Sequence, residues 1–456
     1  MTSYEGKPLT TPVDAALHVV ATAARDGRLV ICAGAGLSVA EHTGLPSGRA
    51  LGHLLDQRLR ERLSGYVSPA DASDLIAVAD AAYAAGDGLE PLQHTVLQLA
   101  DFDQASPNYG HRALALLLSE GAARTLLLWN WDNCVERAVL EGERLEVART
   151  LEDVVQLRVP YVAKIHGCVT RIPTLLITTE QLNKPPLWAE SAFTGALRGN
   201  TGVFIGIGDV ADYAKRRLEE FQNDVTNLDI YVVSPSIVSG WDSSVWAALL
   251  PELVGSRRVA KTADEFLDEL GRMWALELLD RVEGVTSEVR SELTEGINRT
   301  LAAVRNLCSV EVIQWARCTA LRRRIGQSAI RSSATHEAVA AIGVLAGERA
   351  AEDVRLLPDG RCRVGPSTIE VLVAYEMVSA TVVHAAARHR AEQLAGRGLI
   401  EVEAEFLVAG SVIGALNGPS TVDVLEGEVD PHDILTGPRG VRITFTRSGD
   451  VLGRAA

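Results

Sequence analysis

The chain has 456 residues, of which 47 % are apolar, 23 % charged and 5 % aromatic, with a formal net charge of −15. A chain of this length exceeds what one hydrophobic core usually serves, so two domains are expected. The acidic balance argues against a protein that coats nucleic acid, because phosphate binding calls for a basic face. The polar stretch up to Thr11 lacks the apolar centre of a signal peptide, and no run of roughly 18 apolar residues marks a membrane span. Six cysteines, at positions 32, 134, 168, 308, 318 and 362, contain no C-x-x-C pair. That spacing speaks against a disulfide framework and against a zinc ribbon, and the expectation is a cytoplasmic protein without zinc.

Leu29 to Ala33 reads as a buried parallel strand, a short apolar run that ends in glycines. Helical patterns follow at about 49–63, 72–84, 90–100 and 108–119. Further strands are expected at Leu126–Trp129, Tyr161–Ile165, Leu175–Ile177, Val203–Ile207 and Asp229–Val233, with a helix from about 210 to 223. Strands alternating with helices predict parallel crossover units, hence an α/β, doubly wound parallel sheet of Rossmann-like type. This first domain is expected to span 1–275, ending after a helix that holds Phe266 and Leu270. Residues 276–456 read as a helical and then mixed α/β C-terminal region. Val289, Leu293, Ile297, Leu301 and Val304 form an apolar stripe there, and Arg322, Arg323 and Arg324 read as a solvated helix face. Two similar pieces, Gly365 to Leu372 and Gly418 to Leu425, each read as a turn feeding a strand, by duplication or by chance.

Five polar motifs stand at strand ends, where α/β proteins bind ligands. Gly34-Ala35-Gly36-Leu37-Ser38 opens backbone space beside a helix start, without completing the G-x-G-x-x-G fingerprint and without a Walker lysine. Gly44-Leu45-Pro46-Ser47-Gly48-Arg49 is a proline-stiffened loop whose arginine can reach a phosphate or simply face solvent. In Trp129-Asn130-Trp131-Asp132, Asn130 can orient a water or a ribose hydroxyl, and Asp132 can cap the next helix or face a ligand. His166, in Lys164-Ile165-His166-Gly167, is a candidate general base or a structural histidine. Gly206-Ile207-Gly208-Asp209 with Asp212 downstream is either a tight strand-to-helix turn or a contact for the adenosine half of a dinucleotide.

Taken in order, these motifs resemble the sirtuin family, and most the bacterial branch that degrades NAD in antiphage defence. The resemblance covers about residues 28 to 235. It implies a sirtuin-like domain in which Asn130 orients the attacking water and His166 is the base. Gly34, Ala35, Gly36 and Ser38 would hold the pyrophosphate, with Pro46 and Arg49 in the adjoining loop. Asp132 would lie on the nicotinamide side, Gly206 would meet the ribose, and Gly208 and Asp212 would complete the NAD contacts. The aromatic lid of typical deacylases is absent from Pro46-Ser47-Gly48-Arg49, as are the paired zinc cysteines. The implied reaction is NAD hydrolysis to nicotinamide and ADP-ribose. Protein deacylation, ADP-ribosyl transfer and a nucleotide-sensing assembly subunit stand as alternatives. The family also implies a homo-oligomer, with a partner ATPase or a phage-derived trigger as the control. Elemental analysis of the purified protein is expected to find no stoichiometric zinc, and one zinc per chain would overturn this reading of the cysteines.

Overall fold

The computed structural model describes residues 12–140, 144–207, 229–235 and 257–286, and beyond them 313–314, 324–325, 354–357, 361–365, 367–374, 389–390, 403–409 and 442–447, besides Arg216 and Glu219. The chain divides into two compact units that part near residue 270.

Seven strands form the sheet of the first unit: β1 Leu29–Ala33, β2 Thr125–Leu128, β3 Glu146–Ala148, β4 Tyr161–Lys164, β5 Thr201–Ile205, β6 Asp229–Val233 and β7 Arg258–Val259. Their order is β3-β4-β2-β1-β5-β6-β7, and every pairing is parallel. This is the doubly wound α/β sheet expected from the alternation of strand and helix patterns. Strands β1, β2 and β5 are buried at every position, as a parallel sheet covered on both faces requires. Cys32, Leu127, Ile165, Phe193 and Phe204 share one core cluster that includes Trp129.

The helices are α1 Pro12–Arg25, α2 Gly36–Val39, α3 Gly48–Arg62, α4 Leu75–Ala84, α5 Leu89–Leu97, α6 Tyr109–Ser119, α7 Cys134–Arg137, α8 Leu151–Val154, α9 Thr179–Asn183, α10 Leu187–Leu197 and α11 Ala263–Thr286. A second core cluster joins Leu55 and Leu59 of α3, Val78 of α4 and Leu92 and Val96 of α5. Leu175 and Ile177 belong to that cluster and are not a strand. They are fully buried, which explains their apolar character. Their backbone is satisfied by side chains instead of a ladder: the Leu175 carbonyl accepts from Gln93 Nε2 at 2.8 Å, and Ile177 N–H donates to Gln181 Oε1 at 3.0 Å. The expected boundary at 275 falls inside α11. Of the expected helix at 210–223, only Arg216 and Glu219 are described, and both are helical.

In the second unit, β8 Arg324–Ile325, β9 Val354–Leu356, β10 Cys362–Val364, β11 Ser367–Ala374, β12 Glu403–Ala409 and β13 Arg442–Arg447 form a sheet of order β13-β12-β11-β10-β9, with β8 beside β11. Gly365, at φ +58°, turns β10 back into antiparallel β11, so the first Gly-Pro-Ser-Thr piece is a turn feeding a strand. Arg324 opens β8 and is therefore not part of a helix face. The stripe from Val289 to Val304 and the second Gly-Pro-Ser-Thr piece lie outside the described residues.

In this winding, the chain leaves β1 toward β2 on one side and returns to β5 on the other. The crevice outside the carboxyl ends of β1 and β5 is the topological switch point, where such sheets bind ligands. Two glycine turns meet there. Gly36 N–H donates to the Gly206 carbonyl at 2.8 Å, and a Cβ on Gly36 would stand 2.7 Å from Gly206 Cα. Gly206 has φ +61°, and a Cβ on it would stand 2.7 Å from the Leu37 nitrogen. Gly206→Ala is therefore expected to cost about 3 kcal/mol or more by chemical denaturation, through left-handed backbone and overpacking together. Gly195→Ala, on an exposed face of α10 with nothing within 4 Å, is expected to stabilise by about 0.5–1 kcal/mol. Equal effects of the two substitutions would refute this account of the turn.

Candidate active site

The loop after each of four strands brings a polar group to the same end of the sheet: Ser38 beyond β1, Asn130 and Asp132 beyond β2, His166 beyond β4 and Gly206 beyond β5. Ser38 stands at the centre and is 3 % exposed. Its hydroxyl donates to Asp132 Oδ2 at 2.9 Å, accepts from Asn130 Nδ2 at 2.8 Å and lies 3.1 Å from His111 Nε2. His111 Nδ1 accepts the Asn108 N–H at 3.2 Å, so the proton of the neutral ring belongs on Nε2, aimed at Ser38. One donated and two accepted hydrogen bonds exhaust the capacity of a serine hydroxyl.

His111 was not among the residues expected from the sequence. It opens α6 in a capping box: Asn108 Oδ1 accepts the His111 N–H at 3.1 Å while the imidazole accepts in return. Asn108 Nδ2 also donates to the Leu37 carbonyl at 2.7 Å, which fixes α6 against α2. The signal in the sequence is Asn108 followed by His111 three residues on, an unusual capping pair.

Asp132 serves the start of the next helix from one residue ahead of its N-cap, Asn133, and also reaches Ser38. Oδ1 accepts the Cys134 N–H at the start of α7 at 3.1 Å, while Oδ2 holds Ser38. Burial alone would raise its carboxyl pKa. The Lys164 cation, His111 and the hydrogen bonds from Cys134 N–H and Ser38 outweigh burial and hold it below the usual carboxylate range. Asn130 is 6 % exposed; its Nδ2 is engaged, and its buried Oδ1 has no hydrogen-bond partner among the described residues. Trp129 Nε1 is likewise buried without an acceptor there. The Trp129 indole packs edge-on against the His166 ring, with centroids 5.8 Å apart. Burial pushes the His166 ring down to about 3, so it is neutral throughout the physiological range and a weaker base than expected. Gly167 beside it has φ +94°, and any Cβ would strike the Thr174–Leu175 backbone.

His111 Nε2, an Asp132 oxygen and Cys134 Sγ lie within 4.8 Å of one another. Ser38 and the Cys134 N–H already engage the first two, and Cys134 Sγ contacts the Ala105 carbonyl at 3.4 Å. Burial and then Asp132 raise the Cys134 thiol pKa, which disfavours the thiolate a metal would need. The group reads as hydrogen-bonded core.

The expected pyrophosphate cradle is only partly assembled. Ala35 and Gly36 are exposed beside the switch point, but the Gly34, Gly36, Leu37 and Ser38 amides are bonded within the protein. The Ser38 hydroxyl is saturated, so its task is to order Asn130 and Asp132 rather than to hold phosphate. Pro46 is partly buried; Arg49 is exposed on α3, where its charge acts on Asp71. Neither joins the Ser38 network. Gly208 and Asp212 lie outside the described residues.

No family model matches the sequence, and no curated protein matches it. Solved structures that it is similar to include a crystal structure of a Sir2 homologue–NAD complex, at 17 % identity over 56 % of this chain and 91 % of that one, TM-score 0.35. Another is an ADP-ribose complex of a Sir2 homologue mutant, at 18 % identity over 57 % and 97 %, TM-score 0.33. A third, described as the structural basis for the mechanism and regulation of Sir2 enzymes, shows 15 % identity over 57 % and 98 %, TM-score 0.35.

Burial pushes His111 down to about 4, against the upward pull of Asp132. Folded pKa values below the unfolded value mean that the unfolded chain binds more protons as pH falls. The stability held by neutral His111 and His166 is therefore complete above about pH 6.5 and is lost on acidification towards the folded values. Urea denaturation is expected to show about 2 kcal/mol lost by pH 5 from His111 alone, with His166 acting in the same direction. Stability that rises as pH falls from 7 to 5 would contradict the buried neutral rings.

Proposed function

We propose that this chain hydrolyses NAD at the nicotinamide–ribose bond, releasing nicotinamide and ADP-ribose. The observation that carries the reading is the Asn130 carboxamide: Ser38 holds its Nδ2, and its Oδ1 is left buried and without a partner among the described residues, at the carboxyl end of the sheet. A buried acceptor in that state calls for a donor from a ligand or water. The ordered strand-end motifs and their resemblance to NAD-degrading sirtuins support NAD as that ligand.

The scissile bond joins ribose to a cationic ring nitrogen. Nicotinamide leaves neutral, so no general acid is required, and the pair of carboxylates used by ordinary glycosidases is unnecessary. Asn130 Oδ1 accepts a hydrogen bond from the attacking water and orients it. Asp132, kept anionic by its neighbours, stabilises the positive charge that develops on the ribose. His166 acts as a neutral hydrogen-bond acceptor, and the Trp129 N–H supplies a donor to a ribose or amide oxygen. In the cell the reading is an NAD-depleting effector of antiphage defence, restrained until it self-assembles or meets a partner ATPase or phage-derived trigger. Uncontrolled NAD loss would starve the host, which is the physical ground for restraint.

Mass spectrometry of NAD incubated with the protein over a range of protein concentrations tests this. Free nicotinamide and ADP-ribose are expected, with specific activity rising with concentration if assembly is the control. Asn130→Ala and His166→Ala are each expected to lower turnover by about 10²-fold or more per folded molecule, with the native circular-dichroism spectrum retained and a lowered melting temperature. Turnover is expected to be level between pH 8 and 6, since burial keeps His166 neutral over that range. Intact NAD at every concentration, both with the protein alone and with lysate of phage-infected cells added, overturns the proposal, and an ADP-ribosylated or deacylated protein product replaces it with transfer chemistry.

A further inference from the structure

Lys164 carries a long charged side chain into the core, at 0 % exposure. An ammonium group taken out of water is costly unless it is paired and hydrogen-bonded, and an apolar side chain of the same length would fill the space more cheaply. Its partners explain the choice. Nζ donates to the backbone carbonyl of Asp132 and lies 3.8 Å from Glu136 Oε1 on α7. Glu136 Oε1 in turn lies 3.3 Å from Arg149 Nη2, beyond β3. The Asp132 carbonyl sits where the chain leaves β2 and turns into α7. Fixing it fixes the peptide plane after Asp132, and with it the direction from which Oδ1 reaches Cys134 and Oδ2 reaches Ser38. Lys164 itself ends β4, two residues before His166. One cation therefore spans the loop that carries Asn130 and Asp132 and the strand that carries His166.

We propose that Lys164 is a positioning residue for NAD cleavage, its ammonium group holding the Asp132 carbonyl so that Asn130 and Asp132 meet Ser38 beside His166. This rests on the NAD reading above. An ammonium serves where a longer planar cation would not, because it presents its donors tetrahedrally from a slender stem to a carbonyl and a carboxylate at once. Its charge also favours the Asp132 anion, so loss of Lys164 acts on both the direction and the ionisation of that carboxylate.

Lys164→Met removes the charge and keeps the length. Lys164→Met/Glu136→Gln also removes the carboxylate that the first change leaves to Arg149, and keeps the test valid if the single variant folds poorly. Crystal structures of the variants and kcat and KM for NAD are the readouts. In both variants the Ser38 Oγ to Asp132 Oδ2 hydrogen bond, 2.9 Å in the native chain, is expected to break. The value of kcat is expected to fall at least tenfold with KM changed less than threefold, and the acid limb of the pH profile to move upward as Asp132 becomes easier to protonate. An intact Ser38–Asp132 bond in the double variant overturns the positioning role whatever the substrate is. So does native kcat per folded molecule alongside a lowered melting temperature, which marks a purely structural lysine. Intact NAD with the native protein overturns the reading of the reaction instead, while the variant structures still decide whether Lys164 sets the Asp132 geometry.

Discussion

One hydroxyl group organises this end of the molecule. Ser38 can donate once and accept twice, and Asp132, Asn130 and His111 take up all three capacities within 3.1 Å. Ser38 and its partners come from three separate stretches of chain, so the loop after β1, the loop after β2 and the start of α6 reach a single arrangement together. A buried polar network of this kind is stable only when every member is satisfied. Asn130 Oδ1 is the atom of this network left without a partner among the described residues, and Trp129 Nε1, next in the chain, is another such atom. The network also fixes the protonation of its members: Nδ1 of His111 takes a backbone proton, so the ring faces Ser38 as a donor, and Asp132 stays an anion among donors.

Backbone approach supplies the second constraint. Gly36 and Gly206 meet where β1 and β5 end, at distances that leave no room for a side chain on either. The contact draws the two turns together at the switch point, and it engages backbone amides of the turn after β1 within the protein. A glycine-rich turn therefore has two uses, close packing and ligand approach, and sequence does not separate them. Here packing takes the Gly34 and Gly36 amides, while Ala35 is exposed.

Most of the sheet was legible because a parallel sheet buried on both faces writes itself as short, uninterrupted apolar runs. Leu29–Ala33 and Asp229–Val233 match the strands residue for residue. The same rule misled at Leu175–Ile177, where burial came from helix packing and glutamine side chains satisfied the backbone. β3 and β7, at three and two residues, are too short to show a pattern. In the site, Asn130, Asp132 and His166 were marked by their places after strands. His111 and Lys164 were not, since one lies at a helix start far along the chain and the other ends a strand inside an apolar context. Neither shows its importance until the partners that fold against it are known.

The pairing of β1 bears on how the protein is made. Val30 pairs with Thr125 on one side and with Gly202 on the other. During synthesis the central strand must wait for about a hundred further residues to gain its first neighbour, and for most of a second hundred to gain the other. Contacts so distant in sequence make folding slow, because the intervening loop must close before any pairing rewards it. Until β5 leaves the ribosome, one edge of a strand that is buried at every position in the folded chain stands open, and Gly206 is not yet present to close the turn after β1. A nascent chain therefore cannot assemble the Gly36–Gly206 contact early, and a fragment cut before residue 201 would carry an exposed β1 edge prone to pair with other chains.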